Sequence, residues 1–270
     1  MGYVFSWQDA QAYEDWMRGR LGRLAVSVEQ ETIQRVWRPR PNQRLLEVGC
    51  GSGLFSEWFA ERGLQVTALD PSVPMLNLAR LRLPARVSLE RGYAEDLPFA
   101  DNSFDVVAMI TTLEFVDDPA QALREACRVA REQVLLGVLN KYSLIAWQRR
   151  IQQLWNPGIY RHARFFGVIE LQRLVRETLN GSVPTHWRTC LTFPLWALRT
   201  LITLERSPHF QWHPLGHFIA MVVDLRYILR TIQQPLFRQI PTRVGTSQPH
   251  PTCWRIPRRE HQDHRPCANL

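Results

Sequence analysis

Residues Leu45–Phe55, LLEVGCGSGLF, carry one carboxylate and three glycines at alternate positions: Glu47, Gly49, Gly51 and Gly53. A short apolar run leads in, and Phe55, Trp58, Phe59 and Arg62 lead out at helical spacing. Strand, glycine turn and helix in that order set backbone N–H groups and a helix N-terminus against a ligand. The glycines serve because the turn needs unusual φ/ψ and because a Cβ would block close approach. A plain tight turn would use them too. The spacing narrows the ligand: dinucleotide loops read G-x-G-x-x-G and phosphate loops end in G-K-[ST], and this loop does neither. A further carboxylate, Asp70, ends the next apolar run, LQVTAL. An acidic side chain at that strand tip can accept hydrogen bonds from both hydroxyls of a ribose, or merely cap the helix that follows.

The loop E-x-G-x-G-x-G resembles the first motif of the class I S-adenosylmethionine-dependent methyltransferases, [D/E]-x-G-x-G-x-G at the end of the first strand. RGYAEDLPF (91–99) resembles the G-D-A-E-x-L-P-F stretch of their type 11 group, the ubiquinone/menaquinone-biosynthesis-methyltransferase-like proteins. In that group the first acidic residue contacts the adenine amino group. Tyr93 stands there in this chain, placed to stack on or flank the base, while Ala94 and Glu95 match. YEDW (13–16), with Gly22 and Glu29 after it, resembles the group's N-terminal segment that covers the cofactor pocket. The resemblance covers residues 1–140 well and 185–225 loosely. It implies S-adenosyl-L-methionine as cofactor, held by Glu47, Gly49, Cys50, Gly51, Ser52, Gly53, Asp70, Pro71, Met75, Tyr93, Ala94, Glu95, Ile110, Thr111 and the lid residue Tyr13.

The elements that must position these residues follow from periodicity. Two helices fill residues 1–40, with Ala12, Tyr13, Trp16 and Met17 on one face of the first and Pro39 and Pro41 beyond the second. Strands are expected at Arg44–Val48, Leu64–Leu69, Val87–Glu90, Phe104–Ile110 and Val134–Leu139. Helices lie between them: Leu54–Arg62 closed by Gly63, one capped by Ser72, and one opened by Asp118 and Pro119. Strands alternating with helices make a parallel, doubly wound α/β sheet, with ligands at the carboxyl ends of the strands. The resemblance completes it as a Rossmann-like seven-stranded sheet, mostly parallel with an antiparallel last strand, plus a helical insertion. A terminal strand pair is expected at 186–193 and 216–223. The domains are then a lid segment at 1–40, a methyltransferase domain at 41–230 with a substrate-pocket insertion at 140–181, and a basic, Pro- and Arg-rich disordered tail at 231–270.

Length and composition bound the rest. With 270 residues, 45% hydrophobic, the chain can bury one sizeable core. There is no run of 18 apolar residues and no signal-peptide pattern at the start. The cysteines at 50, 127, 190, 253 and 267 show no paired spacing, which reads as reduced thiols in a cytoplasm. Cys50, inside the glycine loop, reads as a small packing residue. The net charge of +8 is spread along the chain without a stripe, so it does not by itself call for nucleic acid or an anionic membrane.

The chemistry expected is in-line methyl transfer to a small-molecule acceptor, apolar or aromatic in view of the many aromatics between 140 and 220. A peripheral membrane contact stays open. The [D/N/S]-P-P-[Y/F] motif that grips a base amine is absent: TTLEFVDDP stands in its place. Nucleic acid is therefore a lesser reading, with RNA methylation and binding of the cofactor without catalysis kept as alternatives. A base is needed only where the acceptor carries a proton to be removed. Glu114, Tyr142, Tyr160 and His162 are candidates, and their spacing singles out none of them. His209, His213 and His217 fall four apart, but Pro208 and Pro214 break the helix that would align them on a metal.

Overall fold

The computed structural model describes residues 2–153 and 162–226. The tail expected at 231–270 and the candidate base Tyr160 lie outside them. Helices α1 (Trp7–Arg18) and α2 (Arg20–Val36) come first. Then follow β1 (Arg44–Val48), α3 (Leu54–Glu61), β2 (Gln65–Asp70), α4 (Val73–Arg82), β3 (Ser88–Arg91) and β4 (Phe104–Ile110). The second half comprises α5 (Pro119–Val129), β5 (Ala130–Leu139), α6 (Leu144–Gln153), α7 (Val168–Thr178), β6 (Thr185–Cys190), α8 (Leu195–Glu205) and β7 (Phe218–Asp224).

The seven strands form one sheet in the order β3-β2-β1-β4-β5-β7-β6. The first five run parallel; β7 runs antiparallel to both β5 and β6. The expected doubly wound sheet with an antiparallel last strand is therefore present. Its layers follow from the two-residue period of strands. Leu45, Val106, Ala108, Leu135, Phe218 and Ala220 pack on one face with Ile33 of α2 and Phe59 of α3. Leu46, Val107, Met109, Leu136, Ile219 and Met221 pack on the other with Leu123 of α5 and Leu171 and Val175 of α7. Thus α7, inside the expected insertion at 140–181, lies in the layer that covers the sheet.

The chain starts in the middle of the sheet, winds out through β2 and β3, and crosses back to β4. The winding reverses between β1 and β4, which is where such sheets open a crevice at their carboxyl ends. Local signals fix the helix starts around it. Ser6 and Asp9 form a reciprocal capping box on α1. Ser72 Oγ accepts from Met75 N–H on α4, and Asp118 accepts from Ala120 and Gln121 N–H on α5.

Five strands differ from the sequence expectation, β2 and β3 only by a shift of one residue each. β5 begins at Ala130 rather than Val134, because exposed Arg131 and half-buried Glu132 and Gln133 hide the start of an otherwise buried strand. β6 stops at Cys190 because Leu191 turns to φ +60. β7 starts two residues later than expected, at Phe218. No helix among the described residues is long and apolar enough to cross a membrane.

Gly137 marks how tightly β5 and β7 close. A Cβ there would lie 2.7 Å from Phe218 Cζ and 3.0 Å from Ile110 Cδ1. Gly137→Ala is expected to lower stability by about 1–3 kcal/mol, read as a lower urea midpoint, and Phe218→Leu in the same chain to restore part of the loss.

Candidate functional site

Among the described residues, the carboxyl ends of β1, β2 and β4 border one cavity that opens to solvent at its mouth. Of the fifteen residues expected to hold the cofactor, thirteen line it: Tyr13, Glu47, Gly49, Cys50, Gly51, Asp70, Pro71, Met75, Tyr93, Ala94, Glu95, Ile110 and Thr111. Ser52 and Gly53 do not. Ser52 turns away to receive the Arg82 guanidinium on its Oγ and carbonyl, 2.8 and 3.0 Å, and Gly53 caps α3 beneath Leu83.

Two glycines of the loop are needed for separate reasons. Gly49 (φ +73) leaves no room for a side chain, since a Cβ would sit 2.5 Å from Thr112 Cγ2 and Oγ1. Gly51 (φ +53) faces empty space, with nothing nearer a Cβ than Met75 Sδ at 3.9 Å. That opening is the space a ligand backed by peptide groups would take. Thr111, also lining the cavity, holds φ +55, a conformation costly for a β-branched residue and met mostly where function over-determines the backbone.

Asp70 is fixed by its own loop. One carboxylate oxygen accepts from Gly51 N–H and the other from Ser72 N–H, both at 2.8 Å. Each oxygen keeps a lone-pair site for a further donor. Burial raises its pKa to about 6 against the pull of those two bonds. Glu47 is buried at the loop's root with Ser56 donating to it, and burial lifts it to about 8, with Asp70 adding repulsion. Cys50, expected as a packing residue, is buried, and its thiol is pushed well above its ordinary range by burial. It is no thiolate nucleophile.

The roof comes from the N-terminus. Gly2–Phe5 and, from α1, Tyr13, Trp16 and Met17 line the cavity. Tyr3 N–H donates to the Phe115 carbonyl at 2.8 Å, and Ser72 Oγ donates to the Phe5 carbonyl at 2.7 Å. Arg82 ties α1 to the glycine loop by bonding both carboxylate oxygens of buried Glu14 at 3.0 Å while it holds Ser52. At the side wall, the Tyr93–Asp96 turn is steadied by Glu95, whose carboxylate accepts from Asp117 N–H at 3.0 Å.

The remaining wall was not anticipated. Phe55, Leu139, Leu191 and His217 also line the cavity, beside Glu29 of the expected covering segment. The segments bearing Leu191 and His217 flank the β6–β7 connection, and no local motif in the sequence marks them as neighbours of the glycine loop. The base candidates lie elsewhere. Glu114 accepts from Leu139 N–H, and its second oxygen is buried without a hydrogen bond. Burial, with Glu29 nearby, raises it to about 8. Tyr142 is largely exposed, and His162 stacks on Tyr3 with centroids 4.3 Å apart. His213 bonds Thr192 and Leu215, not His217.

Among the described residues the lining holds four carboxyl side chains, Glu29, Glu47, Asp70 and Glu95, and neither Lys nor Arg. A pyrophosphate or phosphate finds no cation there. A cationic, ribose-bearing ligand finds a carboxylate, open backbone and an apolar wall, so the residues present fit S-adenosylmethionine.

Comparison with known proteins agrees. The family model of a methyltransferase domain, type 11, matches residues 46–137. The chain is 45% identical over 91 residues to demethylmenaquinone methyltransferase of Renibacterium salmoninarum, covering 34% of this chain and 38% of that protein. It is 33% identical over 146 residues to ubiquinone biosynthesis O-methyltransferase of Alkalilimnicola ehrlichii, covering 50% and 59%. The chain thus spans about half the length of the curated relatives it matches. Among solved structures, an S-adenosylmethionine-dependent methyltransferase of Thermotoga maritima superposes with a TM-score of 0.64 at 26% identity, over 81% of this chain and 96% of that one.

Asp70, Glu47 and Glu114 all bind a proton more tightly folded than unfolded. Stability must then fall as pH rises from the ordinary carboxylate range through about 8, by at most about 1.4 kcal/mol per pH unit for each proton involved. Urea midpoints at pH 5.5 should exceed those at pH 8.5, and Glu114→Gln should flatten the slope between them.

Proposed function

We propose that this chain, a class I S-adenosylmethionine-dependent methyltransferase by its sheet and by the type 11 domain at residues 46–137, methylates a small-molecule acceptor with an apolar or aromatic body. The observation that carries the reading is the carboxylate-bearing cavity at the winding reversal, with no Lys or Arg among its described lining residues, bordered by the glycine loop, Asp70, the Tyr93–Glu95 turn and Thr111 together.

Asp70 would accept from the ribose hydroxyls, because its oxygens are held in place by Gly51 and Ser72 and need no reorganisation. Gly49–Gly51 would lie against the cofactor's amino-acid part, and Pro71, Met75, Tyr93 and Ala94 would flank the adenine. Tyr93 replaces a carboxylate contact with an aromatic face. The cofactor supplies an activated methyl group on a positively charged sulfur with a neutral leaving group. The chain's share is then to orient, to exclude water and to line up the acceptor, effects that reach roughly 7–11 kcal/mol in favourable intramolecular cases. Gly2–Phe5 and α1 exclude water from above. Trp16, Met17, Phe55, Leu139 and Leu191 offer the acceptor an apolar wall, which supports a small, largely uncharged molecule over a polyanion such as RNA.

Calorimetric titration with S-adenosylmethionine and S-adenosylhomocysteine tests the reading. Micromolar binding is expected, weakened at least about tenfold in Asp70→Ala through loss of charge-assisted hydrogen bonds; absence of binding to either would overturn it. The two glycines should part company. Gly51→Ala should fold with a loss near 1–2 kcal/mol for its left-handed backbone yet lose ligand affinity, whereas Gly49→Ala should lose more stability because its Cβ strikes Thr112.

A further inference from the structure

The helix that roofs the cavity is held by a charge. α1 buries only two of its residues, Ala10 and Glu14. Its side chains Tyr13, Trp16 and Met17 are half-buried and line the cavity. A surface helix is ordinarily fastened by a buried apolar face; here the one large side chain fully buried is a carboxylate, 3% exposed. Gly19 alone separates α1 from α2. It ends one helix and starts the other in an extended conformation, φ −64 and ψ 156, with no side chain to cap α2. A single residue of that kind between two helices can absorb a change in the angle between them.

Glu14 meets Arg82, the last residue of α4. Arg82 Nη2 donates to both carboxylate oxygens at 3.0 Å. Its Nη1 donates to Ser52 Oγ and to the Ser52 carbonyl, at 2.8 and 3.0 Å. Two further charges surround the pair: exposed Arg18, 3.5 Å from Glu14 and one turn along α1, and Glu57 of α3, 3.8 Å from Arg82 Nε. One guanidinium thus bridges the roof helix and the glycine loop. Ser52 directly follows Gly51, whose N–H donates to Asp70 and whose α-carbon faces the opening. An ion pair is a different fastener from an apolar contact. It gains little over apolar packing, because both ions must leave water to form it. When both ions return to water together, each regains its hydration and no apolar surface is exposed by the parting.

Resting on the methyltransferase reading, we propose that α1 is a gate for the cofactor, opening about Gly19, and that Arg82 is the positioning residue that latches it shut, through Glu14 on the gate and Ser52 on the glycine loop. The segment ahead of α1 is held by the Tyr3 N–H on the Phe115 carbonyl, by Ser72 Oγ on the Phe5 carbonyl, and by the packing of Tyr3 and Phe5 on Phe115 and His162. It moves with the helix it leads into. A cofactor lying against the Gly51 peptide steadies the loop, and with it the Ser52 end of Arg82. The other end of the same guanidinium then holds Glu14 and keeps α1 closed. Tyr13, Trp16 and Met17 share one helix, so closing sets all three over the cavity in one movement. Bound cofactor leaves when the Arg82 bridge parts.

The test reads release and local opening together on the full chain. Radiolabelled S-adenosylhomocysteine chased with excess unlabelled ligand gives the dissociation rate. Amide hydrogen exchange followed by mass spectrometry compares the protection of α1 with that of β4 and β5. In wild type, the ligand should slow exchange in α1 at least about tenfold. Glu14→Gln should speed release at least about tenfold, the factor expected when one charge-assisted hydrogen bond is lost. It should also cancel most of the protection that α1 gains from the ligand, while β4 and β5 keep theirs. Arg82→Lys retains the charge but not the fork that spans Glu14 and Ser52, and should fall between; it carries the same comparison should Glu14→Gln fail to fold. Glu57→Gln removes the neighbour of Arg82 on α3 and leaves α1 alone, so both measures should stay within about twofold of wild type. Release unchanged in Glu14→Gln and Arg82→Lys overturns the proposal. So does an equal loss of protection in α1 and the sheet, which marks a merely structural pair. Faster release with α1 protection unchanged would place the effect in the glycine loop alone and overturn it equally. Failure of wild type to bind S-adenosylhomocysteine would instead overturn the cofactor reading beneath it.

Discussion

Everything at the site depends on how closely two strand ends approach. At the winding reversal, Gly49 leaves β1 and Thr112 follows β4 with no space for a Cβ between them. Thr112 Oγ1 closes the gap by donating to the Val48 carbonyl at 2.8 Å, and Gly49 and Cys50 N–H both donate to the Leu69 carbonyl, at 2.7 and 3.0 Å. These bonds spend the polar groups of three strand ends on one another, which lets the next peptide, at Gly51, turn toward Asp70. Without that contact the glycine loop would have no fixed relation to the β2 carboxylate or to Thr111. The strained backbone at Thr111 is held by the same junction, since its N–H donates to the Gly137 carbonyl of β5 at 2.7 Å.

The electrostatics follow from this geometry. Three buried carboxyls, Glu47, Asp70 and Glu114, are shifted upward by desolvation. A fold selected for stability alone would pair such groups with cations or omit them. Here Arg82, beside the loop, is engaged with Ser52 and Glu14, and no arginine among the described residues lines the cavity. Burial thus keeps Glu47 and Glu114 largely protonated at neutral pH, and of the three only Asp70, raised to about 6, is mostly ionised and lines the cavity where a cationic ligand would meet it.

Much of this was legible in the sequence because the signals were local. The glycine spacing, the acid at the tip of β2, the Ser72 and Asp118 caps and the apolar run of β4 each act within a few residues, and each appears where the pattern put it. The illegible parts depend on contacts far apart in the chain. Polar Arg131–Gln133 disguised the start of β5, because its coverage comes from other elements. Ser52 sat inside the motif yet answers to Arg82, thirty positions away. Glu114, Tyr142 and His162 had suitable chemistry, but only the fold shows that they point to a strand amide, to solvent and to Tyr3.

His217 illustrates the same limit from the opposite side. In sequence it was the last of three histidines at metal-like spacing, separated by prolines. In the fold, those prolines end the segment around Phe210–Trp212 and let the chain re-enter the sheet as β7. Because β7 runs antiparallel, its first residues, not its last, arrive at the edge where β1, β2 and β4 end. The register pairing Leu139 with Phe218 puts His217 directly opposite Asn140, and Asn140, Ser143 and Leu191 then fix it. The antiparallel last strand thus adds more than an edge to the sheet. It is the device that brings a residue more than 160 positions from the glycine loop to the wall of the same cavity.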